Sequence, residues 1–233
     1  MAKPVCVVTG VGPGNGCAFA RRFAREGHRV ALLARSAEAL EDYASRIEDS
    51  RGYACDVGDA DSVRKTFARI RSELGPVDVL VHNAGSGVFN SFLDTDAEQL
   101  EQAWRVNALG LFLCGREAAA DMLKGGRGAI VVTGATASLR GGAGTAAFAS
   151  AKAAQRSLAQ SMARQLGPRG IHVALVVIDG VIDIPRTRSF LKDKPDEFFL
   201  KADAIADTVY HLATQDRSAW TFELDVRPFG EKW

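Results

Sequence analysis

Short runs of consecutive apolar residues recur at 5–8, 30–33, 77–81, 130–132 and 173–178. Each is too short for a helix and rich in β-branched residues, the pattern of strands buried on both faces. Between them the apolar positions change to helical spacing, as in Leu40, Tyr43 and Ile47 or Leu158, Met162 and Leu166, with charged residues opposite. This alternation predicts right-handed βαβ crossovers stacked into a doubly wound parallel sheet: an α/β fold of about seven strands with helices on both faces. A last strand is expected over 221–226, closed by Arg227 and Pro228, with a short tail ending at Trp233. No linker or repeat intervenes, so residues 1–233 are read as one domain. The stretch 183–201, with Pro185, Pro195 and many charges, breaks the alternation and is read as a loop-helix insertion suited to a substrate lid.

Composition narrows the function classes. Hydrophobic residues make up 47%, enough for a large core, and 29 Lys+Arg against 28 Asp+Glu leave a net charge of +1. That balance gives no electrostatic reason to expect nucleic acid or an anionic membrane as partner. Cys6, Cys17, Cys55 and Cys114 are dispersed, without the paired spacing of a zinc site or a disulfide framework, so no metal is expected. The first apolar run is too short for a signal peptide or a membrane span, and a cytoplasmic location is expected.

The candidate chemistry begins where the first predicted strand ends, at Thr9-Gly10-Val11-Gly12-Pro13-Gly14-Asn15-Gly16. Strand, glycine turn and helix in that order form the phosphate-binding start of a Rossmann fold. A side chain there would block approach of a pyrophosphate, and the free N–H groups of the following helix must face the anion. An ordinary tight turn is the bland alternative.

These residues resemble the short-chain dehydrogenase/reductase family, whose loop reads T-G-x-x-x-G-x-G and is matched by Thr9, Gly10, Gly14 and Gly16. The resemblance extends through Asp56-Val57, placed like the pair that brackets adenine, and through Asn83-Ala84-Gly85, which follows His82 and resembles the family's N-A-G. Asn107 sits like the helix-borne active-site asparagine, and Lys152 like the lysine of Y-x-x-x-K. The resemblance implies a nicotinamide dinucleotide held by the glycine loop including Gly12 and Asn15, by Asp56, Val57, Asn83, Ala84 and Gly85, by Lys152, and by Gly180 after the sixth strand. Cofactor choice follows from charge. NAD enzymes of this fold carry an acid at the end of the second strand, whereas here Ala34 is followed by Arg35, whose planar fork suits a 2′-phosphate. NADP(H) is therefore favoured over NAD(H); the alternative makes Arg35 a solvated start to the helix behind Ser36.

The resemblance breaks at the chemistry. Phe148 stands where the family has its catalytic tyrosine, and the family's serine falls on Ala135, within Thr133-Gly134-Ala135-Thr136-Ala137-Ser138. Phenylalanine exchanges no proton at any pH. Asn107, Lys152, Thr136 and Asp179 remain as catalytic candidates. Thr136 or Ser138 can supply the missing hydroxyl. Asp179 or Asp183 either relays a proton through water or merely caps a backbone turn. Arg140, Arg186 and Arg188 border the expected cleft and suit an acidic or CoA-linked substrate, unless they are simply solvated.

Two functions fit. One is an NADP(H)-dependent oxidoreductase with a non-standard site that reduces an activated C=C of a small-molecule substrate. The other is a catalytically inactive protein that binds or senses NADP(H). Excess apolar residues on the helices around 107–122 and 146–166 predict self-association, which by the family resemblance means a homodimer or homotetramer.

Overall fold

The computed structural model describes residues 2–231, which leaves Trp233 outside the described residues. Its sheet contains β1 (Val5–Thr9), β2 (Arg29–Ala34), β3 (Ser50–Ala54), β4 (Val77–His82), β5 (Gly128–Ala135), β6 (Ile171–Ile178) and β9 (Glu223–Val226). They lie in the order β3-β2-β1-β4-β5-β6-β9, and every neighbouring pair is parallel. The expected doubly wound, seven-stranded sheet is present. The last strand begins two residues later than the apolar pattern placed it.

Period-two alternation splits each central strand between two cores. Val5 and Val7 face a layer with Phe67, Leu111 and Met122, whereas Cys6 and Val8 face one with Phe19, Phe23 and Val209. The first layer belongs to α3 (Ala60–Glu73), α5 (Gly110–Gly125) and α6 (Ala146–Leu166), the second to α1 (Asn15–Arg25), α2 (Ala37–Ser45) and α8 (Ala202–Ala213). Each fully buried phenylalanine contributes roughly 2–3 kcal/mol. Local signals set the helix starts. Ser36 Oγ accepts from Ala39 N, Asp59 from Ser62 N, and Asp96 with Gln99 closes a capping box on α4 (Ala97–Trp104). Each such cap contributes about 1 kcal/mol. Ile47, read into the helical stripe of α2, lies beyond its end in the turn, yet packs into the same core.

Two features depart from simple helix and strand. Residues 105–109 form a π-helical turn joining α4 to α5, with Gly110 N–H donating to Arg105 O five residues back. Insertion 183–201 is pinned at both ends by a two-stranded parallel ribbon, β7 (Val181–Ile182) on β8 (Phe199–Leu200), around the short helix α7 (Pro185–Phe190). Strand order reverses between β1 and β4, so a crevice opens at their carboxyl ends, and α7 lies over it.

Candidate active site

The glycine loop leaves β1 through Gly10, whose φ of +68° favours glycine and where an added Cβ would lie 2.6 Å from Ala84 Cα. Backbone therefore meets backbone at the strand-order reversal. Gly16 is excluded from bearing a side chain by Gly10 O at 2.6 Å, whereas nothing lies within 4 Å of a Cβ built on Gly12. Gly12 thus keeps an open face toward the crevice, the place a phosphate needs. No side chain caps α1, whose Cys17 N donates to Gly12 O at 3.3 Å, and the buried Asn15 amide has neither its oxygen nor its nitrogen partnered. The lid touches this loop at Ile184, whose Cγ2 is 2.7 Å from a Cβ built on Gly14.

Thr9 ties β1 to β4. Its Oγ1 accepts from Asn83 N and Ala84 N, both at 3.1 Å, and its single proton goes to His82 Nδ1 at 3.2 Å. The hydrogen count fixes the tautomer: Nδ1 accepts, so Nε2 carries the ring proton, and Nε2 is buried without a partner. Burial, and secondarily the nearby Lys152 charge, lowers the His82 pKa to about 3. Asn83 Nδ2 donates to Gly10 O at 2.9 Å, completing the join of the two loops.

Two cavities meet along this line. One, of about 550 Å³, is lined by Ala34, Arg35, Asp56, Val57, Gly85 and Arg186. Asp56 Oδ1 accepts from Gly58 N, which shapes the turn after β3. The other, of about 820 Å³, is lined by Asn15, Thr136, Phe148, Lys152, Gly180 and Val181 among others. A glycine loop with an open face, a helix N-terminus without a side-chain cap and an arginine at the far end fit a dinucleotide phosphate chain with an adenosine beyond it. All the sequence-derived binding residues except the buried Thr9 therefore line one or other of these two cavities.

Of the chemistry-bearing side chains, Thr136 and Lys152 line the larger cavity, whereas Asn107 and Asp179 stand behind its wall. Asn107, on the π turn, donates from Nδ2 to Ser86 O at 3.0 Å and Ala103 O at 2.8 Å, which leaves Oδ1 unpartnered. Lys152 Nζ donates to Thr133 O at 2.9 Å and to Gln155 Oε1 at 3.0 Å. Burial without a carboxylate partner lowers its pKa to about 8. Phe148 lines the cleft and packs on Phe89 with ring centroids 5.1 Å apart, an apolar wall. Thr136 Oγ1 donates to Asp179 Oδ1 at 2.7 Å, and the other Asp179 oxygen lies 3.6 Å from Arg227 Nη1. Asp179 itself stands behind Thr136 and does not line the cavity.

Four sequence readings are corrected. Asp183 is held by Arg188 and then Lys201, which keep its carboxyl well below the usual range, and it faces away into a separate cavity with Cys17 and Tyr43. It anchors the lid and relays no proton. Arg188 is bound to Asp183 and Asp196 and stacks on Phe199, so it is not free to meet a substrate. Ser138 is buried and, unlike Thr136, is not on the cleft wall. Arg140 is exposed and lines neither cavity, leaving Arg186 as the arginine over the crevice. The sequence reading missed Gln155, Phe89 and Arg227. Gln155 stands three residues after Lys152 on a helix, a spacing that places both on one face. Among the described residues no helix is long and apolar enough to cross a membrane, and no metal-holding group of His, Cys, Asp or Glu is present.

Comparison with known proteins agrees with this geometry. Residues 4–194 match the family described as short chain dehydrogenase. The chain is 34% identical to 2-(R)-hydroxypropyl-CoM dehydrogenase of Xanthobacter autotrophicus, over 91% of this chain and 92% of that one. A short-chain dehydrogenase structure from Rhodopseudomonas palustris superposes with a TM-score of 0.83 at 35% identity, covering 97% and 99% of the two chains. A metagenomic short-chain oxidoreductase in complex with NADP gives 0.85 at 29% identity, with 99% of each chain covered.

Proposed function

The chain belongs to the short-chain dehydrogenase family and is an oxidoreductase, and from that premise we propose that it uses NADP(H) and moves its proton through Thr136 and Asp179. When bound, the nicotinamide supplies or accepts the hydride; the residues of this chain have to bind, orient and handle the proton. The observation that carries the reading is the Thr136–Asp179 hydrogen bond. Because the threonine proton is directed at the carboxylate, its lone pairs face the cleft and accept a proton from a substrate hydroxyl. Asp179 takes the threonine proton in turn, with Arg227 beside it as counter-charge. Run backwards, the same chain returns a proton to a carbonyl oxygen. Substrates are then secondary alcohols and their ketones, with an apolar body against Phe89 and Phe148 and an acidic or CoA-linked end reached by Arg186.

A second observation favours the activated C=C. Phe148 and Ala135 place no O–H on the cleft wall where the family has two, and a conjugated double bond needs less acid catalysis at its oxygen than a ketone does. Asn107 and Lys152 serve either reading by holding the cofactor.

Calorimetric titration with NADPH and NADH, followed by turnover against secondary alcohols, 3-ketoacyl thioesters and enoyl thioesters, tests the whole reading. Tight binding without turnover on any of them would sink it and leave a binding protein. Cofactor preference has its own variant. Arg35→Ala is expected to weaken NADPH binding about 10- to 100-fold, the worth of a charge-assisted hydrogen bond, while NADH changes little. Equal losses for both would remove Arg35 from the 2′-phosphate site.

We also infer a homodimer or homotetramer. Leu100, Trp104 and Phe112 stay 41–46% exposed on α4 and α5, apolar side chains that a second copy would cover. Sedimentation at the mass of one 24.9 kDa chain would exclude it.

A further inference from the structure

Lys152, Gln155 and Asn107 form a hydrogen-bonded chain beneath Gly85, and all three are buried, at 6%, 1% and 0% exposure. Gln155 Oε1 accepts from Lys152 Nζ, and its Nε2 donates to the backbone oxygen of Asn107 at 3.0 Å. The amide orientation is unambiguous, because an ammonium only donates and a carbonyl only accepts. With Thr133 O taking a second lysine proton, one N–H of the three remains without a protein partner. Asn107 Oδ1 is also unpartnered. Both groups border Gly85: a Cβ built there would lie 3.2 Å from Asn107 Oδ1 and 3.8 Å from Lys152 Nζ. A free donor beside a free acceptor matches a hydroxyl, which donates and accepts at once.

We propose that Gln155 is the positioning residue of this site, tying the Lys152 ammonium to the Asn107 turn so that together they dock a ribose hydroxyl of the cofactor over Gly85. This rests on the nicotinamide-dinucleotide reading above. Gln155 does a second thing: a carboxamide neither gains nor loses a proton in the working pH range, so the link from lysine to the π turn carries no proton. Lysine is thereby confined to binding, and proton traffic is left to Thr136.

Gln155 is uncharged, so replacing it by glutamate or leucine changes the lysine in opposite directions. A carboxylate holds the proton on Lys152; an apolar side chain removes an acceptor and lets burial release it sooner. The other ionisable group facing Lys152 is His82 from β4, which burial keeps neutral, while β5 contributes the Thr133 carbonyl and the π turn the Asn107 amide. The test is NADPH affinity of the full chain by calorimetry between about pH 7 and 9.5, without substrate, so that ribose is the hydroxyl source. In the native protein affinity falls about tenfold or more as pH rises through about 8, where the ammonium is lost. For Gln155→Leu the fall moves about one pH unit lower, and for Gln155→Glu about one unit higher. A residue that only fills space would weaken binding in both without moving either midpoint, and that result overturns the proposal. A native affinity that is flat across this range also overturns it, because the hydroxyl then belongs to the substrate. Where Gln155→Leu does not fold by circular dichroism, Gln155→Glu decides alone by the position of its midpoint. Absence of any NADPH or NADH binding to the native protein would instead refute the dinucleotide reading itself.

Discussion

Thr136→Val is expected to lower kcat about a hundred- to a thousandfold while leaving NADPH affinity within about twofold. Valine keeps the shape of threonine but removes the oxygen that stands between the cleft and Asp179, and general acid–base groups contribute about 10²- to 10⁴-fold. Asp179→Asn should act in the same direction with a different signature. Thr136 can still donate to the asparagine oxygen, so the local geometry survives, but the amide accepts no proton, and the rate loses its dependence on a basic group. Steady-state kinetics on whichever alcohol or enoyl thioester turns over, paired with cofactor titration, reads both. An unchanged kcat in Thr136→Val would mean that the proton travels elsewhere.

The second large effect is on stability in acid. His82 is fully buried, and its Nδ1 is already occupied by the only proton that Thr9 can donate, so a second ring proton would face that hydroxyl's hydrogen and force Thr9 off Asn83 and Ala84. Its folded pKa of about 3 lies below its ordinary 6.5. Between those values the unfolded chain binds a proton that the folded chain does not, so stability falls as pH drops through this window. The whole difference corresponds to roughly 5 kcal/mol, of which about 2 kcal/mol is lost between about pH 6.5 and 4.5. His82→Asn supplies a non-titrating acceptor for Thr9 and should not show that loss. Urea unfolding of both proteins at the two pH values measures it; equal losses would show that His82 does not drive the acid response.

Much of the fold was legible because strands buried on both faces must be continuously apolar, and helices covering them must be apolar on one stripe. β3 illustrates the limit. As Ser50-Arg51-Gly52-Tyr53-Ala54 it is an edge strand with only Tyr53 fully buried, so no apolar run marks it in the sequence. The glycine turn was equally readable, since glycines at fixed intervals after a strand answer a backbone requirement that is local in sequence. The catalytic half was not. Asp179 and Asp183 are four residues apart and alike on paper, yet one supports Thr136 and the other is consumed by Arg188 and Lys201 in the lid.

What the chain alone determined, then, was the alternating architecture and the glycine loop that follows the first strand. What only the tertiary structure decided was which polar atoms are spent and which are free. Thr136 and Asp179 are 43 residues apart, Gln155 and Asn107 are 48 apart, and Thr9 and His82 are 73 apart. A hydrogen bond depends on an approach of about 3 Å, and no pattern of neighbouring residues encodes which distant carbonyl or carboxylate will arrive at that distance.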